Sequence, residues 1–186
     1  MGGKVKMAMT LLTTNTSDDS SAYSDFTSSI DSTYKLYIFS FINIRSDTDV
    51  RYFAFQANAT DTADYDDILM TSTAFRAYHK EDGSQNGISQ MTASDQANAA
   101  GFQQLAASCG NASDESLSGN LWLFNPAGTT YAKHWYSRVQ SYDHDDVSTD
   151  HWMSGYFNDA TAIDNIRFKF TADNIADVVI KMYGVA

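Results

Sequence analysis

The chain has 186 residues, with 12 Lys and Arg against 23 Asp and Glu, a formal net charge of −11, one cysteine and one proline. That balance excludes a phosphate-binding surface, which needs clustered Lys and Arg, so nucleic acid is not expected as a partner. Lone Cys109 excludes an internal disulfide or a cysteine metal cluster, while 43% hydrophobic residues exclude wholesale disorder.

The acids are lopsided: 21 are Asp and only Glu81 and Glu115 are Glu, while Ser and Thr together number 38. Asp and Ser compete for backbone hydrogen bonds and favour turns, and Thr, Tyr, Phe and Ile favour strands. The composition therefore predicts strands joined by polar turns. In chain order, Val5 to Leu12 is a short apolar strand and Thr13 to Ser24 a loop. Tyr34 to Arg45 (YKLYIFSFINIR) carries apolar residues on both faces, as a central strand covered on each side does. Ser46 to Asp49 is a turn, and Val50 to Asn58 reads as the second strand of a hairpin, with Phe53 and Phe55 on one face.

Beyond an acidic loop at 59–67, Ile68 to His79 is a strand and Lys80 to Gln90 is turn chemistry. Thr92 to Ala100 is the one helical turn expected, Phe102 to Ala107 is ambiguous, and Cys109 to Ser116 is a loop. Leu117 to Phe124 alternates, with Leu117, Leu121 and Leu123 opposite Trp122 and Phe124. Tyr131 to Tyr142, His151 to Asn158, Ile163 to Thr171 and Ile175 to Val185 complete the strands. In 163–171, Ile166, Phe168 and Phe170 share one face.

About nine or ten strands without βαβ alternation predict an all-β fold, an antiparallel two-layer β-sandwich of jelly-roll type. The length suits a single domain over 1–186, with 1–31 as an N-terminal arm or edge strand packing on a neighbour. No apolar run approaches the roughly 18 residues of a membrane span, and Met1-Gly2-Gly3-Lys4 lacks the apolar stretch of a signal peptide.

Several residue groups invite a chemical reading. Asp143, His144, Asp145 and Asp146 with Asp150 and His151, and separately Asp61, Asp64, Asp66 and Asp67, combine ligands that hard cations take. Neither has the EF-hand pattern, and both read more simply as solvated turns, so no metal or cofactor is expected. His134 beside Trp135 and His151 beside Trp152 fit ordinary strand alternation. No hydrolase elbow, phosphate loop or zinc-protease motif occurs, and two glutamates in turns make a poor glycosidase pair. Cys109 lacks a His or Lys neighbour and reads as inert. Asn15, Asn58 and Asn111 match the glycosylation pattern, which matters only for a secreted eukaryotic chain. Trp135, Trp152 and Tyr131 form the candidate set for stacking on sugar rings. The two-sided apolar character of 34–45 and 117–124 exceeds what a free monomer needs and points to a covering partner.

The segments STYKLYIFSFINIRSDTD (32–49), SLSGNLWLFNPAGTTYAKHW (116–135), AIDNIRFKF (162–170) and NIADVVIKMYGVA (174–186) resemble a group of short virion proteins. Tailed bacteriophages, especially those of marine bacteria and cyanobacteria, encode them. The resemblance runs from about Leu12 to the C-terminus and departs at Asp177-Val178, where a small Gly-Thr pair is expected. It implies a non-enzymatic β-sandwich component of a virion assembled in the host cytoplasm, with no catalytic residues. The function expected is a capsid decoration or cement protein, a homotrimer bound to the major capsid protein or another virion protein. The alternatives are a tail fibre or tail-tip host-contact module, and a carbohydrate-binding module.

Overall fold

In the computed structural model, residues 8–17, 21–60, 65 and 68–186 are described; Asp61, Asp64, Asp66 and Asp67 lie outside them. The described residues form 13 strands and no helix: β1 (Met9–Ser17), β2 (Ser24–Phe26), β3 (Leu36–Ser46), β4 (Arg51–Ala59), β5 (Met70–Lys80), β6 (Asn86–Gln90), β7 (Ala97–Ala99), β8 (Gln103–Cys109), β9 (Leu117–Phe124), β10 (Lys133–Tyr142), β11 (Val147–Phe157), β12 (Ile163–Phe170) and β13 (Ile175–Val185). A nine-stranded sheet runs β1-β13-β3-β9-β10-β11-β5-β6, with β7 also on β5, and a four-stranded sheet runs β2-β12-β4-β8. Every pairing is antiparallel.

Alternation along the strands builds the core. The inward rings of β3 and of β4 and β12 meet across the sheets: Phe39 on Phe168 (5.3 Å between centroids) and Phe41 on Phe53 (5.2 Å). Phe168 also touches Phe26, Phe41, Phe53 and Phe55, so it sits at the centre of an aromatic cluster. The pairs mix edge-to-face contacts, such as Phe41 on Phe53, with stacked ones, such as Phe53 on Phe168, both arrangements that suit the ring quadrupole. The predicted faces of 117–124 and 163–171 are the observed ones, with Leu117, Leu121, Leu123, Ile166, Phe168 and Phe170 all buried.

Several expectations change. Val50–Asn58 does not form a hairpin with the preceding strand: β3 and β4 lie in different sheets, and the turn at 46–50 carries the chain from one sheet to the other. Thr92–Ala100 holds β7 rather than a helical turn, because Ala97 pairs with Thr71 and Ala99 with Met70. Polar segments read as turns or loops also contain the short strands β2 and β6. Of the strand predicted over Val5–Leu12, Val5, Lys6 and Met7 lie outside the described residues; β1 runs on through Ser17, into the segment read as a loop from Thr13, and forms a sheet edge against β13 with a bulge between Leu11 and Thr13. Asp177 and Val178 lie inside β13 at a doubled bulge rather than in a turn before it, and Asp177 accepts from Arg45 Nε at 2.7 Å.

The outer side of β4 is covered by chain rather than solvent. Buried Gln56 donates from Nε2 to the carbonyls of Ala100 (2.9 Å) and Ile68 (3.3 Å), tying the segments after β4 and before β8 to the small sheet. Each such bond satisfies a backbone acceptor that the loop would otherwise bury unpaired.

Candidate functional site: the outer face of the large sheet

The sequence-predicted sugar trio is not brought together. Trp135 is 2% exposed, and its ring meets Phe55 at 5.0 Å in the core. Tyr131 is 75% exposed but lies in the turn before β10. Only Trp152, 38% exposed, is on the outer face of the sheet. The reason is phase. β10 buries Lys133, Trp135, Ser137, Val139 and Ser141 and presents His134, Tyr136, Arg138 and Gln140 outward.

The buried side of this hairpin is unusually polar. Lys133 donates to the carbonyls of Asp159 (3.1 Å) and Thr161, so it pins the loop before β12; burial pulls its pKa below the ordinary lysine value. His151 accepts from the Ala107 N–H at Nε2 (3.1 Å), and burial pushes its pKa down to about 4. His151 therefore bridges the large sheet to β8 as a neutral imidazole. Cys109 is buried as well, with its thiol pushed up to about 12 mainly by desolvation, so it is protonated and unreactive.

The acidic loop resolves into turn chemistry. Asp143 Oδ1 accepts from the N–H groups of Asp145 (3.0 Å) and Val147 (3.2 Å), and Asp146 Oδ1 accepts from Tyr142 Oη (2.9 Å). Asp150 points to the sheet face, away from that turn, and bonds Arg138 instead. Among the described residues no group of three or more His, Cys, Asp or Glu is placed to hold a metal ion. Glu115 closes its own turn by accepting from the Ala112 N–H at 2.7 Å.

What the sheet does assemble is an outer face of rings. Cross-strand register places Leu11, Tyr183, Ile38, Trp122 and Tyr136 in one row over β1, β13, β3, β9 and β10. A parallel row holds Met9, Val185, Leu36 and Phe124. Trp122 stacks on Tyr136 at 4.6 Å, and Phe124 lies 5.6 Å from the same ring. In a third row Phe75 stacks on Trp152 (6.0 Å, 5° between planes), and the Arg138 guanidinium lies over that indole at 4.4 Å. Arg138 and Trp152 both donate to Asp150, which raises the Arg138 pKa through that hydrogen bond.

This face is nearly free of acids. Within β1, β13, β3, β9, β10, β11 and β5, Asp150 and Asp177 are the only acidic residues of the chain's 23. Each is bonded to an arginine, Arg138 and Arg45 respectively. Among the described residues the other acids lie in turns, loops and the small sheet. Sequence alternation signalled the apolar outer sides of β3 and β9, but the continuation through Tyr136, Trp152 and Phe75 depends on strand order that no local pattern encodes.

No known protein family, curated protein or solved structure matches the chain in comparison.

Proposed function

We propose that this chain is a structural subunit of a tailed-phage virion, a capsid decoration protein that associates with its own copies through the outer face of the large sheet. The observation that carries the reading is the pairing of exposed rings and aliphatic side chains with an absence of free acids on one face of a protein of charge −11. Two copies approaching through any acidic surface repel each other, whereas this face offers apolar burial without that cost. Closed symmetry is the usual outcome when identical subunits share such a patch, and the sequence resemblance favours three copies.

The strand order supports a jelly-roll reading. With β5–β7 and β10–β11 set aside as insertions, two four-stranded layers remain, β1-β13-β3-β9 and β2-β12-β4-β8. The links β1–β2, β3–β4, β8–β9 and β12–β13 each then cross from one layer to the other, the pattern of a double Greek key. The insertions widen one layer into the broad face. At its far margin β1 is an edge strand with Met9 and Leu11 exposed, which suits a clamp onto a neighbouring shell protein.

Counting this chain against the major shell protein in purified particles tests the reading. Copies in proportion to the capsid lattice support decoration. A few copies confined to tails would replace it with the host-contact reading, and absence from particles would overturn the virion assignment.

A further inference from the structure

The two edges of the large sheet, β1 and β6, are guarded differently. β1 carries a bulge, a device that spoils an edge as a template for further pairing. β6 has no such device: it pairs with β5 in unbroken register from Phe75↔Gln90 to His79↔Asn86, and it contains neither a charge nor a proline. In a chain with 23 acids, that strand is left neutral and straight. The backbone bonds fix which of its groups are open. Lys80 N–H donates to the Gln85 carbonyl at 2.8 Å and Met91 N–H to the Ala74 carbonyl at 2.9 Å. The hydrogen-bonded pairs between them are therefore Tyr78–Gly87 and Arg76–Ser89. Asn86, Ile88 and Gln90 are the alternate residues, whose N–H and C=O groups point out of the sheet, and among the described residues no strand takes them. All three side chains are exposed on one face, Ile88 at 79%.

We infer that β6 pairs with β6 of a second copy, antiparallel about a twofold axis, with Ile88 opposite the partner's Ile88 and Asn86 opposite the partner's Gln90. A twofold contact requires a self-complementary strand, and Asn-x-Ile-x-Gln is one. An apolar pair sits on the axis, an amide pair lies on each side, and no charge meets its like. Gln90 commits its Nε2 to Asp95 Oδ2 at 3.1 Å, which leaves Oε1 to accept from the partner's Asn86. Centring the axis on Asn86 or Gln90 instead runs one end past the strand, so only the Ile88 register engages all three outward residues of both copies. The open groups lie in the plane of the sheet, so covering its ring-bearing face leaves them accessible. Five residues a side fall well short of a stable interface. The contact is therefore weak in dilute solution and joins copies that are already crowded together. It uses β6 alone and does not rest on the virion reading or on the contact through the outer face.

The test compares the rates at which Ile88→Cys and Asn86→Cys form disulfide-linked dimers of the full-length chain at high protein concentration under copper–phenanthroline. Each is made with and without Ile38→Asp, which suppresses the face contact. Cys109 is buried and does not compete. Paired Ile88 positions lie about 5.5 Å apart between Cα atoms, within reach of a disulfide, whereas the two Asn86 positions are offset by roughly 13 Å along the strands. Ile88→Cys is expected to cross-link about tenfold faster than Asn86→Cys in both backgrounds. Adding Gln90→Cys to Asn86→Cys restores the fast rate. In the unsubstituted chain, amide exchange at Ile88 slows as concentration rises, while the already bonded Ser89 N–H does not change. Equal rates at the two positions, or no recovery in the double variant, would overturn the inference. So would an Ile88 amide indifferent to concentration, the result expected if the edge serves an extended segment of another protein. Failure of the face contact reads out separately, as a mass that Ile38→Asp does not alter.

Discussion

Arg138 lies with its guanidinium 4.4 Å above the Trp152 ring, and both side chains donate to the same oxygen of Asp150, Arg138 Nη2 at 2.9 Å and Trp152 Nε1 at 3.1 Å. Three exposed residues on neighbouring strands thus lock one another's rotamers, which fixes the indole edge-on to solvent. Removing the cover in Arg138→Ala is expected to shift Trp152 emission to longer wavelength while the melting temperature barely moves, because an exposed ion pair contributes little. Arg138→Lys keeps the charge but lacks the planar fork, so the shift persists. An unchanged emission spectrum in Arg138→Ala would contradict the stacked geometry.

The centre of the molecule is more sensitive. Phe168 packs against rings from β2, β3 and β4, so truncating it opens a cavity bounded by both sheets. Phe168→Ala is expected to cost about 3–5 kcal/mol, and Phe168→Leu less, in urea unfolding. Equal stability of the wild type and the alanine variant would mean that the two sheets do not share this core.

Much of that core is legible in the residues themselves. Ile166, Phe168 and Phe170 alternate with Asn165, Arg167 and Lys169, and the burial follows that period without exception. Local pattern fails where it carries no phase. β10 has aromatic residues on both sides and puts Lys133, Ser137 and Ser141 inward, so alternation alone cannot say that Trp135 is core and Tyr136 is surface. It also fails for pairing. The turn after β3 looks like a hairpin turn, yet where a chain forms two sheets a short polar connection can equally cross between them, and only long-range register decides. The stack at Trp152 draws Phe75 from β5 and Arg138 from β10, strands more than fifty residues of chain apart, and no spacing in the sequence announces it.

That same crossing turn stores strain. Val50 has φ of 55°, a left-handed conformation that a β-branched residue adopts only at a cost. It is exposed, so its side chain contributes little burial in return. Val50→Asn is expected to raise stability by about 1 kcal/mol, read as a rise of roughly 2–4 °C in melting temperature. A lower melting temperature would show that the valine side chain outweighs the backbone term.

Acid should weaken the fold through His151. Burial is the main cause of its low pKa of about 4, against 6.5 for the free side chain; Arg76 adds to it and Asp150 opposes it. Between those values the unfolded chain holds a proton that the folded chain does not. Stability therefore falls as pH drops from 6.5 towards 4, by about 3 kcal/mol in all. His151→Gln keeps an acceptor for Ala107 but does not titrate. Comparing urea midpoints at pH 7 and pH 4.5, the wild type should lose clearly more stability than this variant, the carboxylate contribution being common to both. Parallel losses would place the acid sensitivity elsewhere.

Sedimentation equilibrium of the purified full-length chain reaches the main proposal most directly. Burial of the ring-covered face between copies predicts a mass that is a multiple of the 20.6 kDa chain, three copies being expected, and its collapse to one chain when Ile38→Asp places a carboxylate in the middle of that face. A wild type that stays a single chain up to the concentration limit of the instrument, or an oligomer indifferent to Ile38→Asp, would contradict it.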